Sequence, residues 1–359
     1  MIALQIVRLL RVRSARAERP AKRERSLKIK FWKKIISYSK TFNLKQGVNY
    51  HRTFNIIETY CKGGLPMTWA LAAYTGSNIQ PFRNLTDDEF AKYKKMSNSI
   101  FEFAQDIRIY AFQKANYEDF EKLLKQYLKD DYLKGIIGKI PINPENDKIL
   151  IEINRYLLNL LSTIRTFLDY AKYNLERRYG KDSNSVSMFK DATHREYSKY
   201  FSYRFIYNLR NCAQHCVLPL GINLVSSEIE PYSGNIENSL KLNLDRDSLL
   251  NSGYDWRKLR TEIKNLPAQF EIKPYLSEMD KCLDRIQSTI LKGSLPLLTQ
   301  SADYIKSLYK DNLSEGAPCL ARFLQSKEYL AGNIPKHTVE ILWVPINYIE
   351  IIDKLKTVG

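Results

Sequence analysis

The chain has 359 residues, enough for two compact domains, with 44% hydrophobic and 26% charged residues, an ordinary globular composition rather than that of a disordered chain. No apolar run reaches the roughly 18 to 20 residues that span a bilayer, so a membrane-spanning helix is not expected. The formal charge is +17, and it is concentrated. Residues 1–34 carry twelve basic side chains against Glu18 and Glu24, so +10 of the total sits in this leader. The remaining +7 permits a polyanionic partner without demanding one. Three readings compete for residues 1–30: a poorly ordered basic extension, a nucleic-acid-gripping arm, or a targeting peptide. The five cysteines are odd in number and scattered, which argues against a disulfide scaffold and for a cytoplasmic location.

Taken in order, residues 31–140 read as an N-terminal helical domain, with breaks at 62–66 and around 76–81. Thr86 followed by Asp87, Asp88 and Glu89 is a helix start, a hydroxyl cap with an acid three residues on. The helix after it repeats Phe90, Tyr93, Met96, Ile100, Phe103, Ile107 and Tyr110, and a further helix covers about 117–132. Glycines and prolines at 135–144 read as a linker. A long helix is expected over 147–179, ended by Gly180, and a second long helix over 186–216, stopped by Pro219. The short turn between them predicts antiparallel neighbours. Strand-like pieces at 222–225 and 240–244 predict a small β-hairpin, inserted at about 220–245 in a helical domain of 145–300. Helices resume over 254–265, 272–292 and 297–309. The segment 301–359, expected to pack on that domain, adds a strand over 338–344 and a terminal helix opened by Pro345. The class is mainly α.

The chemistry concentrates near the end of the second long helix, in Arg210-Asn211-Cys212-Ala213-Gln214-His215. An imidazole titrates near neutral pH and can take or give a proton. A guanidinium is permanently charged and presents donors that match phosphate oxygens. An asparagine between them can orient the imidazole or hold a phosphate oxygen. The set suits cleavage of RNA without a metal. A different reading makes His215 a satisfied core histidine, with Arg210 paired to Asp169 on the neighbouring helix. Another takes Cys212, His215 and Cys216, at i, i+3 and i+4, as zinc ligands completed by His194, Cys282 or Cys319. Buried small cysteines are the plainer explanation of that spacing. Aromatics before the motif, Tyr197, Tyr200, Phe201, Tyr203, Phe205 and Tyr207, could stack bases or fill the core. Arg204 and Tyr207, which precede Arg210 by nearly two turns and by one, are expected to border the cleft and contact substrate. Arg165 and Asp169 are the first-helix residues expected to border the cleft. Phosphate-binding glycine loops and nucleophile elbows are missing from the sequence.

Arg210, Asn211 and His215, on the second of two adjacent long helices, give the chain a pattern that resembles the HEPN superfamily. The resemblance implies a HEPN-like helical bundle that pairs as a symmetric homodimer, two motif helices forming one composite cleft. It implies endoribonuclease activity needing no cofactor or metal, with the RNA 2′-hydroxyl attacking the adjacent phosphate. It further implies a toxin or antiphage-defence effector in bacteria, with a neutralising or sensor protein as a further partner. The alternative is a HEPN-like module without catalysis that dimerises or binds nucleic acid for regulation. The first 140 residues lie outside the resemblance.

Overall fold

The structure is a computed structural model that describes residues 50–53, 68–76, 78–127, 144–216, 218–220, 223–229, 236–310, 316–325 and 337–356. The basic leader, the breaks expected near 62–66, the linker at 135–143 and Cys61 lie outside the described residues. The fold is mainly helical with antiparallel sheets. It divides into a first unit of residues 1–108 with 294–359 and a second of 109–293. No helix among the described residues is long and apolar enough to cross a membrane.

In the first unit, β1 (Tyr50–Thr53), β2 (Ala70–Tyr74), β3 (Ile79–Asn84), β7 (Ala317–Gln325) and β8 (His337–Trp343) form a five-stranded sheet in the order β1-β8-β7-β2-β3. All its pairings are antiparallel. One face buries Ala72, Cys319, Ala321, Val339 and Ile341. Sequence reading expected helix where β2 stands and a break where β3 begins. The run Ala-Leu-Ala-Ala has high helix propensity, but between two strands its small side chains pack on both faces, so tertiary pairing overrides propensity. The strand expected over 338–344 is β8, and the tail joins the sheet of the first unit rather than standing as a separate segment on the helical domain.

Helix α1 (Asp87–Tyr127) opens as its sequence signals: Thr86 Oγ1 accepts from the Glu89 amide at 3.2 Å, and Glu89 accepts from the Thr86 amide at 3.0 Å. Two helices were expected here, and one of 41 residues forms. Gln113 and Lys114, which look like a polar interruption, point inward. Lys114 Nζ lies 2.6 Å from Asp280 and 2.7 Å from Asp284.

The second unit holds α2 (Pro144–Tyr179), α3 (Asn184–Lys199), α4 (Phe201–His215), α5 (Arg246–Leu250) and α6 (Leu259–Lys264). Its sheet orders β4 (Asn223–Ile229), β5 (Ile236–Asp245) and β6 (Gln269–Glu271). The expected hairpin is β4–β5, longer than its sequence signature. Helix α7 (Lys273–Tyr309) replaces the two helices expected over 272–292 and 297–309, running through Pro296. The last helix, α8 (Ile346–Lys356), follows Pro345 as expected. The one helix expected over 186–216 is two, α3 and α4, separated at Tyr200 with φ −114 and ψ 116.

Candidate functional site

Helix α4 carries the motif, and its inward side explains its position. Phe205, Ile206, Leu209 and Cys212 are buried at helical spacing. Phe205 lies 6.1 Å from Trp256, 5.7 Å from Phe270 and 5.6 Å from Tyr275 between ring centroids. Burying an aromatic cluster of this size is worth several kcal/mol, on the order of 1.5–3 per large side chain, and it anchors the helix. The segment after α5 grips the same side. Tyr254 donates its hydroxyl to Asn208 Oδ1 at 3.0 Å, and Ser252 Oγ sits 3.5 Å from Cys212 Sγ.

The break at Tyr200 leaves backbone carbonyls at the end of α3 without helical partners. Arg204 satisfies two of them: its Nη1 donates to the carbonyls of Tyr197 at 2.5 Å and Ser198 at 3.0 Å. Its Nε and Nη2 donate to the Glu262 carboxylate at 3.2 and 2.5 Å. Arg204, expected to contact substrate, is thus a strut that fixes where α4 begins. Arg285 braces the same corner, with Nε and Nη2 on Glu196 at 2.9 and 2.7 Å and its guanidinium 4.5 Å over the Tyr200 ring.

The alignment of α4 on α2 is antiparallel, as expected, and two polar contacts mark its register. Asn154, 3% exposed, donates to the Leu220 carbonyl at 3.0 Å and accepts from the Leu220 amide at 3.2 Å. At the other end, the Arg165 guanidinium lies 4.5 Å from the centroid of the Tyr207 ring. Arg165 Nε donates to Asp169 at 2.7 Å. Three of the four residues expected to border the cleft, Arg165, Asp169 and Tyr207, therefore stand together, and Asp169 pairs with Arg165 rather than with Arg210.

His215 is exposed at the last residue of α4 and is not a core histidine. Asn211 is half-buried and accepts from Arg210 Nη1 at 3.0 Å. The Nε of Arg210 is buried without a hydrogen-bond partner. An orphaned donor on a permanently charged group is costly unless something else satisfies it. On a straight helix Arg210 and His215 differ by about 140° in azimuth and about 7.5 Å in height. Within one protomer they thus look to different flanks: Arg210 toward the side of Tyr207, His215 toward that of Asn208, with Asn211 between.

Cys212 is buried, and burial pushes its thiol up, away from the thiolate a metal would need. His194 lies on α3, a separate helix from the motif, with its Nε2 3.4 Å from Ser198 Oγ. Among the described residues no group of three or more His, Cys, Asp or Glu is placed to hold a metal ion. The exposed rings of Tyr170 and Tyr173, on the outward side of α2, were not singled out by the sequence reading. Their signal was present, since both fall outside the stripe of Leu157, Leu161, Ile164 and Leu168. Searches of known protein families, of curated proteins and of solved structures found no match for this chain.

Proposed function

We propose that the chain is an endoribonuclease in which His215 moves the proton and Arg210 stabilises the phosphate. His215 takes the proton of the ribose 2′-hydroxyl. The oxygen attacks the adjacent phosphorus, the bond to the 5′-oxygen breaks, and that oxygen leaves with a proton. Arg210 balances the charge that grows on the non-bridging oxygens, and Asn211, bonded to Arg210, orders its guanidinium. The observation that carries this reading is the pairing, on one helix, of an exposed imidazole with a half-buried guanidinium whose Nε has no hydrogen-bond partner among the described residues. Because the two side chains diverge on that helix, the reading favours a homodimer, in which the arginine of one copy and the histidine of the other share a phosphate. A role in cellular defence or as a toxin would follow from indiscriminate cutting, with a neutralising or sensor protein as partner.

The test uses the full chain and a labelled single-stranded RNA in EDTA. The unaltered protein should cleave, and His215→Ala and Arg210→Ala should each lose on the order of 10²-fold or more, the scale of a proton-transfer or charge-stabilising group. Equal cleavage by His215→Ala overturns the assignment.

A further inference from the structure

The guanidiniums of the second unit differ in how fully they are engaged. Arg204 and Arg285 each hold a carboxylate through two nitrogens. Arg165 and Arg210 differ. Arg165 uses its Nε on Asp169, and its terminal nitrogens have no hydrogen-bond partner among the described residues. Arg210 uses Nη1 on Asn211 and keeps Nε unpartnered. Arg165 lies over the Tyr207 ring, and Arg210 follows Tyr207 by three residues on the same helix. Beyond Arg165 the outward side of α2 carries Tyr173, 64% exposed, with exposed Lys172 beside it. Eight residues separate Arg165 from Tyr173, on the order of 12 Å along the helix, room for about three stacked nucleotides at 3.4 Å each.

The geometry points to a strand-binding track, resting on the nuclease reading above, that leads unpaired RNA away from Arg210 past Arg165 to Tyr173. Arg165 grips the phosphate next to the scissile one with its free terminal nitrogens, while Asp169 holds Nε and keeps the guanidinium over Tyr207. Tyr173 offers its ring to a base. A ring on a convex helix can stack only on a base that is not already inside a duplex, so the track selects single strands. The alternation of cation and aromatic along one line is what binders of single strands use, the cations tracking the backbone and the rings tolerating any base.

The experiment measures binding by fluorescence anisotropy of a labelled 12-nucleotide RNA, on full-length protein carrying His215→Ala so that the probe survives. Arg165→Ala and Tyr173→Ala should each weaken binding at least fivefold, and Arg165→Lys should recover only part of the loss, since an ammonium keeps the charge but not the planar stack. A duplex of the same sequence should bind at least tenfold more weakly. Both side chains are partly or largely exposed, and unchanged melting by circular dichroism verifies the fold. Binding within twofold of the parent for both variants overturns the track, as does equal affinity for the duplex or no binding by the parent. Cleavage by the histidine-intact protein separates the two readings. If it cleaves but the Arg165 and Tyr173 variants behave as parent, the track fails and the nuclease assignment stands. If it binds through Tyr173 without cleaving, the reverse holds.

Discussion

The Arg210 side chain has its Nη1 tied to Asn211 and its Nε left over, and that division separates charge from geometry. Arg210→Lys keeps the charge but loses the planar donors. It should retain RNA binding within a few fold while cleavage falls by 10-fold or more, read as a drop in kcat rather than a rise in KM. Asn211→Ala removes the acceptor that orders the guanidinium. It should lower cleavage less than Arg210→Ala does, and a kcat series of the single and double variants checks this, because residues acting as one unit are not additive. The motif spacing was legible in the sequence, as was Arg165 beside Asp169 at i and i+4, while Tyr207 reaches them only through the antiparallel packing of α4 on α2. Arg204 was misplaced for a physical reason: its partner Glu262 comes from a distant element, and the carbonyls it satisfies exist only because the helix breaks.

At the scale of elements, the sequence marks starts and stops better than continuity. The cap at Thr86, the stop at Gly180 and the strand β8 all stand where their local chemistry put them. The continuous helix through Pro296 and the break at Tyr200 are reversed from expectation. Proline removes one hydrogen bond, which packing on both sides of it outweighs. Tyr200 carries no breaker signal, and Arg204 and Arg285 hold it extended through groups remote in sequence. Arg204→Ala should therefore lower stability by about 2 kcal/mol, from lost charge-assisted bonds and freed carbonyls, measured by urea unfolding. Glu262→Gln, which keeps an acceptor, should cost less. Trp256→Ala, removing a 2%-exposed ring stacked on Phe205, should cost about 3–5 kcal/mol.

Across the whole molecule, each unit has its own sheet and its own packed side chains, and the polar groups buried in each decide how it responds to solvent. In the second unit Lys114 sits between Asp280 and Asp284, with the Tyr110 hydroxyl also on Asp284. Burial opposes every charge here. It keeps the Asp280 carboxyl above its usual range in spite of the lysine, while the two aspartates hold the Lys114 ammonium above the ordinary 10.5. For a lysine raised on folding, the stabilisation is complete below 10.5 and is lost as pH climbs through the higher folded value, so melting temperature should fall above about pH 10.5. Lys114→Met leaves two part-buried carboxylates without their cation and should cost about 2–4 kcal/mol at neutral pH. That penalty should shrink on acidification toward pH 5, as the Asp280 carboxyl, already raised by burial and now without its cation, takes up a proton; melting curves across pH 5–8 measure it. In the first unit Gly316 has φ +102, and a Cβ there would meet the Tyr74 carbonyl at 2.7 Å. Gly316→Ala should thus destabilise that unit by about 1–3 kcal/mol, read in the same melts. The long-range pairing of β2 with β7, which places the glycine there, is the part of the fold that no local signal discloses.

The corner at Tyr200 also acts as a phase buffer. On one uninterrupted rod, a residue inserted upstream would turn everything beyond it by about 100° and swing the cationic donor and the imidazole away from their places. With an extended joint clipped by Arg204, an extra alanine immediately after Tyr200 can be taken up as slack, whereas the same alanine after Leu209 rotates His215 relative to the anchored aromatic side.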